Sequence, residues 1–157
     1  LSDSLTLVSG KLKEGDVRTT AVIRRVREIT SNDPLVLLDS PPGTACPFIE
    51  TVDDVSLCVL VTEPTPFGLH DLSVAVNVLD VLNIPAVVII NRSEESDEHI
   101  EEYCSGRVFP VLMKIPLDFP LLKAKNNGDL ISRIDPAWFE RFKELGEKIL
   151  VYTGEAL

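Results

Sequence analysis

The feature that most constrains the fold of this chain is a set of short, unbroken apolar segments rich in Val, Ile and Leu. None of them alternates strictly between apolar and polar residues, as a strand with one face in water would. Continuous apolarity over a few residues is typical of strands that are covered on both faces, as in a parallel sheet. These segments are residues 35–39, 57–63, 86–91 and 111–116.

The segments between them carry a helical period. In residues 68–82, Leu69, Leu72, Val76 and Leu79 recur at spacings of three and four, which places them on one helical face. Helices are also predicted over residues 17–30, 94–104 and 136–151, with Asp16 and Asp135 as N-caps of the first and the last. This alternation predicts a single α/β domain over residues 1–157, three layers deep, with a mostly parallel sheet flanked by helices. Residues 5–15 are predicted to form a strand or hairpin.

Net charge and cysteine content limit the binding partners and the cellular compartment that can be expected for this chain. The 157 residues include 25 Asp and Glu against 15 Lys and Arg, a net charge of −10, which argues against nucleic acid and anionic membrane partners. Three scattered cysteines form neither a disulfide framework nor a CxxC zinc motif. With no signal segment and no membrane-length apolar run, we expect a cytoplasmic segment of a longer gene product.

The segment LVLLDSPPGTACP, residues 35–47, carries the densest chemical information. Ligands of open α/β sheets bind beyond the carboxyl ends of strands, where Asp39 is predicted to lie. A carboxylate there can hold Mg²⁺ that bridges nucleotide phosphates, and Gly43 lets a backbone N–H approach a terminal phosphate. An apolar strand that ends in Asp and enters a Pro-Gly turn is also common where no ligand binds. Spacing alone therefore leaves open whether this segment is a binding site or an ordinary strand end.

Four motifs in sequence order carry a resemblance to a known family. The chain resembles the MinD/ParA group of P-loop ATPases, and more closely the MinD-like ATPases with an inserted ferredoxin domain. The resemblance covers about residues 10–128 and implies an incomplete P-loop NTPase-like fold. The motifs are LVLLDSPPGTACP (35–47), LVTEPTPFGLHDL (60–72), VVIINR (87–92) and KIPLD (114–118).

The resemblance implies roles for particular residues in binding Mg-ATP. Asp39 matches the family's Walker B aspartate, which coordinates Mg²⁺. Pro42 and Gly43 match the switch segment that senses the γ-phosphate, so Asp39 and Gly43 are the predicted catalytic residues. Asn91 matches the asparagine that bonds the adenine edge, whereas Arg92 stands where lysine is commoner.

Two further positions are implied to lie beside the base. Pro116 and Asp118 match the family's P-x-D segment. In the intact protein, the resemblance implies ATP or ADP with Mg²⁺ as ligands, a homodimer formed through the nucleotide face, and an iron–sulfur or redox partner.

The sequence departs from the family in its phosphate-binding part. Gly10-Lys11 is followed by Leu12, and no glycine-rich loop ending in Gly-Lys-Thr occurs in the chain. The cysteine-rich runs of the ferredoxin insert, where an iron–sulfur cluster is expected, are absent too. We therefore expect the C-terminal half of such an ATPase, unable to hydrolyse ATP alone.

Other interpretations of these residues remain. The chain could be a non-enzymatic α/β interaction domain without nucleotide, or a receiver-like domain with Asp39 as phosphoacceptor and Lys114 as its lysine. Cys46 is expected to be a buried thiol rather than a cluster ligand. The acidic run within residues 94–102 is expected to form a solvated helix face rather than a metal site.

Overall fold

A computed structural model describes residues 5–15, 18–30, 32–93 and 97–154. The predicted N-cap Asp16 and the first residues of the predicted helix 94–104 lie outside the described residues. The chain divides into two compact units, Leu1–Asp54 and Val55–Leu157.

Unit 1 contains two helices that pack against each other. Helix α1 spans Thr19–Thr30, as predicted, and the short α2 spans Cys46–Val52. The guanidinium of Arg24 donates twice to the Glu50 carboxylate, at 3.0 Å each, and Arg27 Nη1 donates to the carbonyl of Glu50 at 2.8 Å. These bonds fix α2 to the polar side of α1, a contact that the sequence analysis did not predict.

The prediction of a strand at residues 35–39 is wrong, because these residues form no strand in the structure. Leu35 is 57% exposed and Leu37 is 84% exposed. The hairpin predicted at residues 5–15 is also wrong, since the described part of that segment contains no strand. A strand needs a neighbour for its backbone N–H and C=O groups, and no strand is assigned among the described residues of unit 1.

Unit 2 is built on a parallel sheet with strand order β1-β2-β3. Its strands are β1, Cys58–Thr62, β2, Ala86–Ser93, and β3, Val111–Pro116, close to the predicted bounds. The first five residues of β2, Ala86 to Ile90, are buried, which accounts for their continuous apolarity. The prediction of an α/β fold with a parallel sheet and flanking helices is confirmed.

The described residues of unit 2 also form five helices. Helix α3 packs on β1 and α7 packs on β3. Thr65 caps α3 by accepting from Gly68 N at 2.9 Å, and Asp135 caps α7 by accepting from Ala137 N at 2.9 Å, as predicted for Asp135. The helices are α3, Pro66–Leu82, α4, Glu98–Gly106, α5, Phe119–Asn127, α6, Ile131–Ile134, and α7, Pro136–Thr153. Among the described residues, no helix combines the length and apolarity that crossing a bilayer requires.

Candidate nucleotide site

The carboxyl ends of the three strands of unit 2 lie at one edge of the sheet, because the strands are parallel. Asn91 pairs in register with Ile115, and Ser93 pairs with Pro116. This register brings the ends of β2 and β3 side by side. Four predicted site residues therefore belong to one edge: Asn91, Arg92, Pro116 and Asp118.

The end of β2 is irregular at Arg92. The ladder to β3 shifts between Asn91 and Ser93, and Arg92 has a φ of 53°, the left-handed region that few non-glycine residues adopt. Its guanidinium Nη1 lies 3.4 Å from Oε2 of Glu63, the residue that follows β1. The pair is half exposed and so contributes little stability, but it sets the direction of the Arg92 side chain across the sheet edge.

A buried carboxylate lies behind this edge. Asp97 is 3% exposed and accepts a hydrogen bond from Ser93 Oγ. Lys114 Nζ lies 3.5 Å from Asp97 Oδ2 and 2.8 Å from Glu101 Oε1. The bond to Glu101, followed by the charges of Glu101 and Asp97, raises the pKa of Lys114. This network ties the end of β2 to β3 and to the start of α4.

Sequence reasoning missed this network, because Asp97 was assigned to a solvated acidic face. That assignment is wrong for Asp97. Lys114 was considered only as the partner of a phosphoacceptor Asp39, whereas the structure gives it Asp97 and Glu101. The available signal was the position of Asp97 just before α4 and shortly after a buried strand.

Asp118 presents an unused acceptor at the same edge. Its Oδ1 atom is buried and has no hydrogen-bond partner in the structure. A buried carboxylate oxygen without a donor is costly, so a group that donated to it would stabilise the protein. The backbone beside it is fixed by Leu117 N, which donates to Ser93 O at 3.3 Å.

The remaining predicted site residues lie in unit 1. Asp39 is exposed, as is Pro42, in the segment that precedes α2. Gly43 has a φ of 94°, and a Cβ added there would meet nothing within 4 Å. The loop therefore requires glycine for its backbone conformation, while the space around it stays open.

One of the three cysteines differs from the prediction in its burial. Cys46 is exposed, so the prediction that it is a buried thiol is wrong. Cys58 and Cys104 are buried, and burial raises the pKa of both thiols, that of Cys58 to about 11. Within the described part of the chain, His, Cys, Asp and Glu form no group of three or more arranged to hold a metal.

Comparison with known proteins identifies distant relatives. The chain is 30% identical over 142 residues to a protein named cytosolic Fe-S cluster assembly factor Nubp1 homolog from Drosophila ananassae, covering 76% of this chain and 46% of the relative. It is 25% identical over 134 residues to the iron-sulfur cluster carrier protein of Methanocaldococcus jannaschii, covering 73% and 45%. Both named relatives belong to the MinD/ParA superfamily of P-loop ATPases. The chain is thus similar to both named relatives over about three quarters of its own length.

A third relative extends the match along the chain. An uncharacterised protein of Methanocaldococcus jannaschii is 27% identical over 145 residues, covering 91% of this chain and 50% of the relative. The chain thus spans about half the length of the curated relatives it matches. No protein-family model matches the chain.

Proposed function

We propose that this chain is the C-terminal portion of a MinD/ParA-like ATPase that binds Mg-ATP and serves iron–sulfur cluster assembly in the cytoplasm. The observation that carries the proposal is the similarity over 142 residues to an iron–sulfur cluster assembly factor. The ordered motifs at residues 35–47, 60–72, 87–92 and 114–118 support the same assignment.

The sheet edge of unit 2 suits the base and ribose of a nucleotide. Asn91 carries both a donor and an acceptor in its side-chain amide, which can pair with an adenine edge. The unpartnered Oδ1 of Asp118 accepts from an amino or hydroxyl group. Arg92, directed towards Glu63, closes the edge beside them and substitutes for the lysine that is commoner in the family.

The residues of unit 1 fit magnesium and the terminal phosphate. Mg²⁺ is usually held by one or two carboxylates together with phosphate oxygens and water, rather than by an all-protein cage. The carboxylate of Asp39, which is exposed, matches that donor set. Bound Mg²⁺ would neutralise phosphate charge, and the open space at Gly43 admits a phosphate close to the backbone.

The chain lacks its own phosphate cradle, so a further segment must supply one. No glycine-rich Gly-Lys-Thr loop occurs in the 157 residues. In the described sheet, β1 is paired only on the side of β2, which leaves its other edge available to a strand that leads into such a loop. We expect that segment in the remaining half of the parent protein, together with a ferredoxin insert.

Hydrolysis then acts as a switch. The γ-phosphate orders the segment at Pro42 and Gly43, which favours a homodimer through the nucleotide face, and its loss relaxes that segment. Coupling of the two states to capture and release of an iron–sulfur cluster follows the names of the relatives. The cluster is the cargo in this proposal.

The test compares thermal unfolding with and without Mg-ATP for the polypeptide encoded by the complete reading frame. A nucleotide at 100 times its Kd stabilises the folded state by about 2.7 kcal/mol, which raises Tm by several degrees. The variant Asp39→Asn is expected to lose most of this shift in the presence of Mg²⁺. Asp33→Asn, at another exposed aspartate of unit 1, is the matched control and keeps it.

Two results would contradict parts of this proposal. An equal shift in the 157-residue chain alone would show that the phosphate cradle is not needed. No shift in the complete polypeptide would favour the alternative, a non-enzymatic α/β interaction domain.

A further inference from the structure

A groove of about 250 Å³ lies between β3 and α7, within unit 2. Residues 112–113 of the strand line it together with Leu145 of the helix, which is 8% exposed. Successive side chains of a strand point to opposite faces, so only one of the two strand side chains can face the helix. Binding pockets for drug-sized molecules occupy about 300–1,000 Å³, so this groove suits a smaller ligand with a short apolar part.

The charged lining of the groove contrasts with the chain as a whole. Lys114, Arg141 and Lys148 converge there with a single carboxylate, Glu144. The whole chain carries 25 acidic against 15 basic residues. Lys114 is already paired with Asp97 and Glu101, so it is Arg141 and Lys148, set against the remaining carboxylate Glu144, that give the groove a preference for anions.

Arg141 is held in place before any ligand arrives. Its Cζ atom lies 4.4 Å from the ring centroid of Trp138, which is itself 6% exposed and therefore fixed. Its Nη2 donates to the carbonyl of Lys114 at 3.4 Å. A guanidinium has five N–H donors in a planar fork, so this stacking and one hydrogen bond leave further donors for a carboxylate or phosphate.

The two lysines differ in their availability. Lys114 is directed to Glu101 at 2.8 Å, as described above. Lys148 Nζ lies 2.8 Å from Glu144 Oε1, one turn away on the same helix, and both side chains are about half exposed. Exposed pairs of this kind are weak, so an incoming anion can displace Glu144 from Lys148.

We propose that the groove between β3 and α7 binds a small organic anion. Its oxyanion group lies at Arg141 and Lys148, and its short apolar part lies between Leu145 and residues 112–113 of the strand. Glu144 occupies the position of the anion in the free protein and competes with it. The groove shares Lys114 with the network behind the nucleotide edge, but the anion is held by Arg141 and Lys148, so the proposal does not depend on nucleotide binding.

The test titrates the 157-residue chain with hexanoate, hexanol and inorganic phosphate. Trp138 is the single tryptophan of the chain and stacks on Arg141, so its fluorescence reports binding, and titration calorimetry measures the same equilibrium independently. We expect hexanoate to bind saturably and more tightly than either other probe. Equal binding of hexanol, or tighter binding of phosphate, would overturn the proposed division into an oxyanion end and an apolar end.

Substitutions on α7 make the test specific. Arg141→Gln is expected to weaken hexanoate about tenfold, since a hydrogen bond to a charged group is lost. Glu144→Gln is expected to strengthen it about two- to fivefold, because the competing carboxylate is removed. Lys143→Gln, which removes an exposed charge from the same helix outside the groove, is the control and is expected to leave affinity unchanged.

Several results would overturn the proposal. It fails if hexanoate shows no saturable binding, if Glu144→Gln binds no more tightly than the wild type, or if Lys143→Gln weakens binding as much as Arg141→Gln does. If Arg141→Gln unfolds the chain, Lys148→Gln, which leaves the stack of Arg141 on Trp138 in place, replaces it with an expected severalfold loss of affinity.

Discussion

Gly68, in the first turn of α3, has no space for a side chain. A Cβ added there would approach the carbonyl oxygen of Glu63 well inside the 3.0 Å limit that real Cβ atoms respect, and would lie 3.0 Å from Thr62 Oγ1. The Glu63 carbonyl cannot easily retreat, because it accepts from Thr65 N at 2.8 Å. Substitution of Gly68 by Ala must therefore move the backbone that joins β1 to α3.

The magnitude follows from three contributions. Crowding of a packed position by one carbon costs about 1–3 kcal/mol. Movement of the helix start also weakens the N-cap hydrogen bond that Thr65 Oγ1 accepts from Gly68 N. Such a cap contributes about 1 kcal/mol to the free energy of unfolding. Against these, Ala is preferred to Gly in helices by at most about 1 kcal/mol. Gly68→Ala is therefore expected to lower the free energy of unfolding by about 1–3 kcal/mol.

Gly146 supplies the matched control within α7. A Cβ added there would meet nothing within 4 Å, so Gly146→Ala gains helix propensity without crowding. Its free energy of unfolding is expected to rise by up to about 1 kcal/mol. Urea unfolding followed by circular dichroism measures both variants. The reasoning is refuted if Gly68→Ala is as stable as the wild type, or if both variants shift stability in the same direction.

Two further predictions concern the cysteines and acid stability. Iodoacetamide is expected to alkylate Cys46 in the native chain, while Cys58 and Cys104 react only on unfolding, and equal native rates measured by mass spectrometry would contradict this. The hydrogen bond from Arg24 lowers the pKa of Glu50 in the folded protein below its ordinary 4.5. The pair therefore stabilises the fold above pH 4.5, and this stabilisation is lost as the pH falls through the lowered pKa of the folded state. Arg24→Gln should flatten this part of the acid dependence, measured by denaturant unfolding between about pH 7 and about pH 3; an unchanged slope would show that the pair contributes nothing.

The sheet of unit 2 could be predicted from sequence because both of its determinants are local. Continuous apolar segments marked β1, β2 and β3, and the intervening helical periods set their parallel order. The N-cap at Asp135 was predicted for the same reason, since a capping side chain bonds to a neighbouring residue.

The segment at residues 35–39 shows where local pattern is insufficient. Its composition matches that of a buried strand, but a strand also needs a partner, and pairing is a long-range property. The burial of Asp97 was missed for a related reason. Its environment depends on Ser93 and on Lys114 of β3, which are distant from each other in sequence but close in the fold.

The sequence predicted which residues belong to the candidate site, but not their backbone conformations or their contacts. Asn91 and Asp118 were assigned by their motifs, and the register of β2 and β3 explains why they belong to one edge. The unpartnered oxygen of Asp118 and the left-handed backbone of Arg92 depend on the packing of several segments. No motif specifies either feature.

Among the described residues β1 pairs only with β2, and the strand edge left unpaired has a consequence for handling the chain. An open strand edge exposes a row of unpaired N–H and C=O groups, and Val61 beside it is 63% exposed. Two such edges can add to each other in solution, which makes the isolated chain prone to aggregate as its concentration rises. A longer polypeptide that covers β1 would remain monodisperse under the same conditions, so light scattering alone can report whether the edge has been capped.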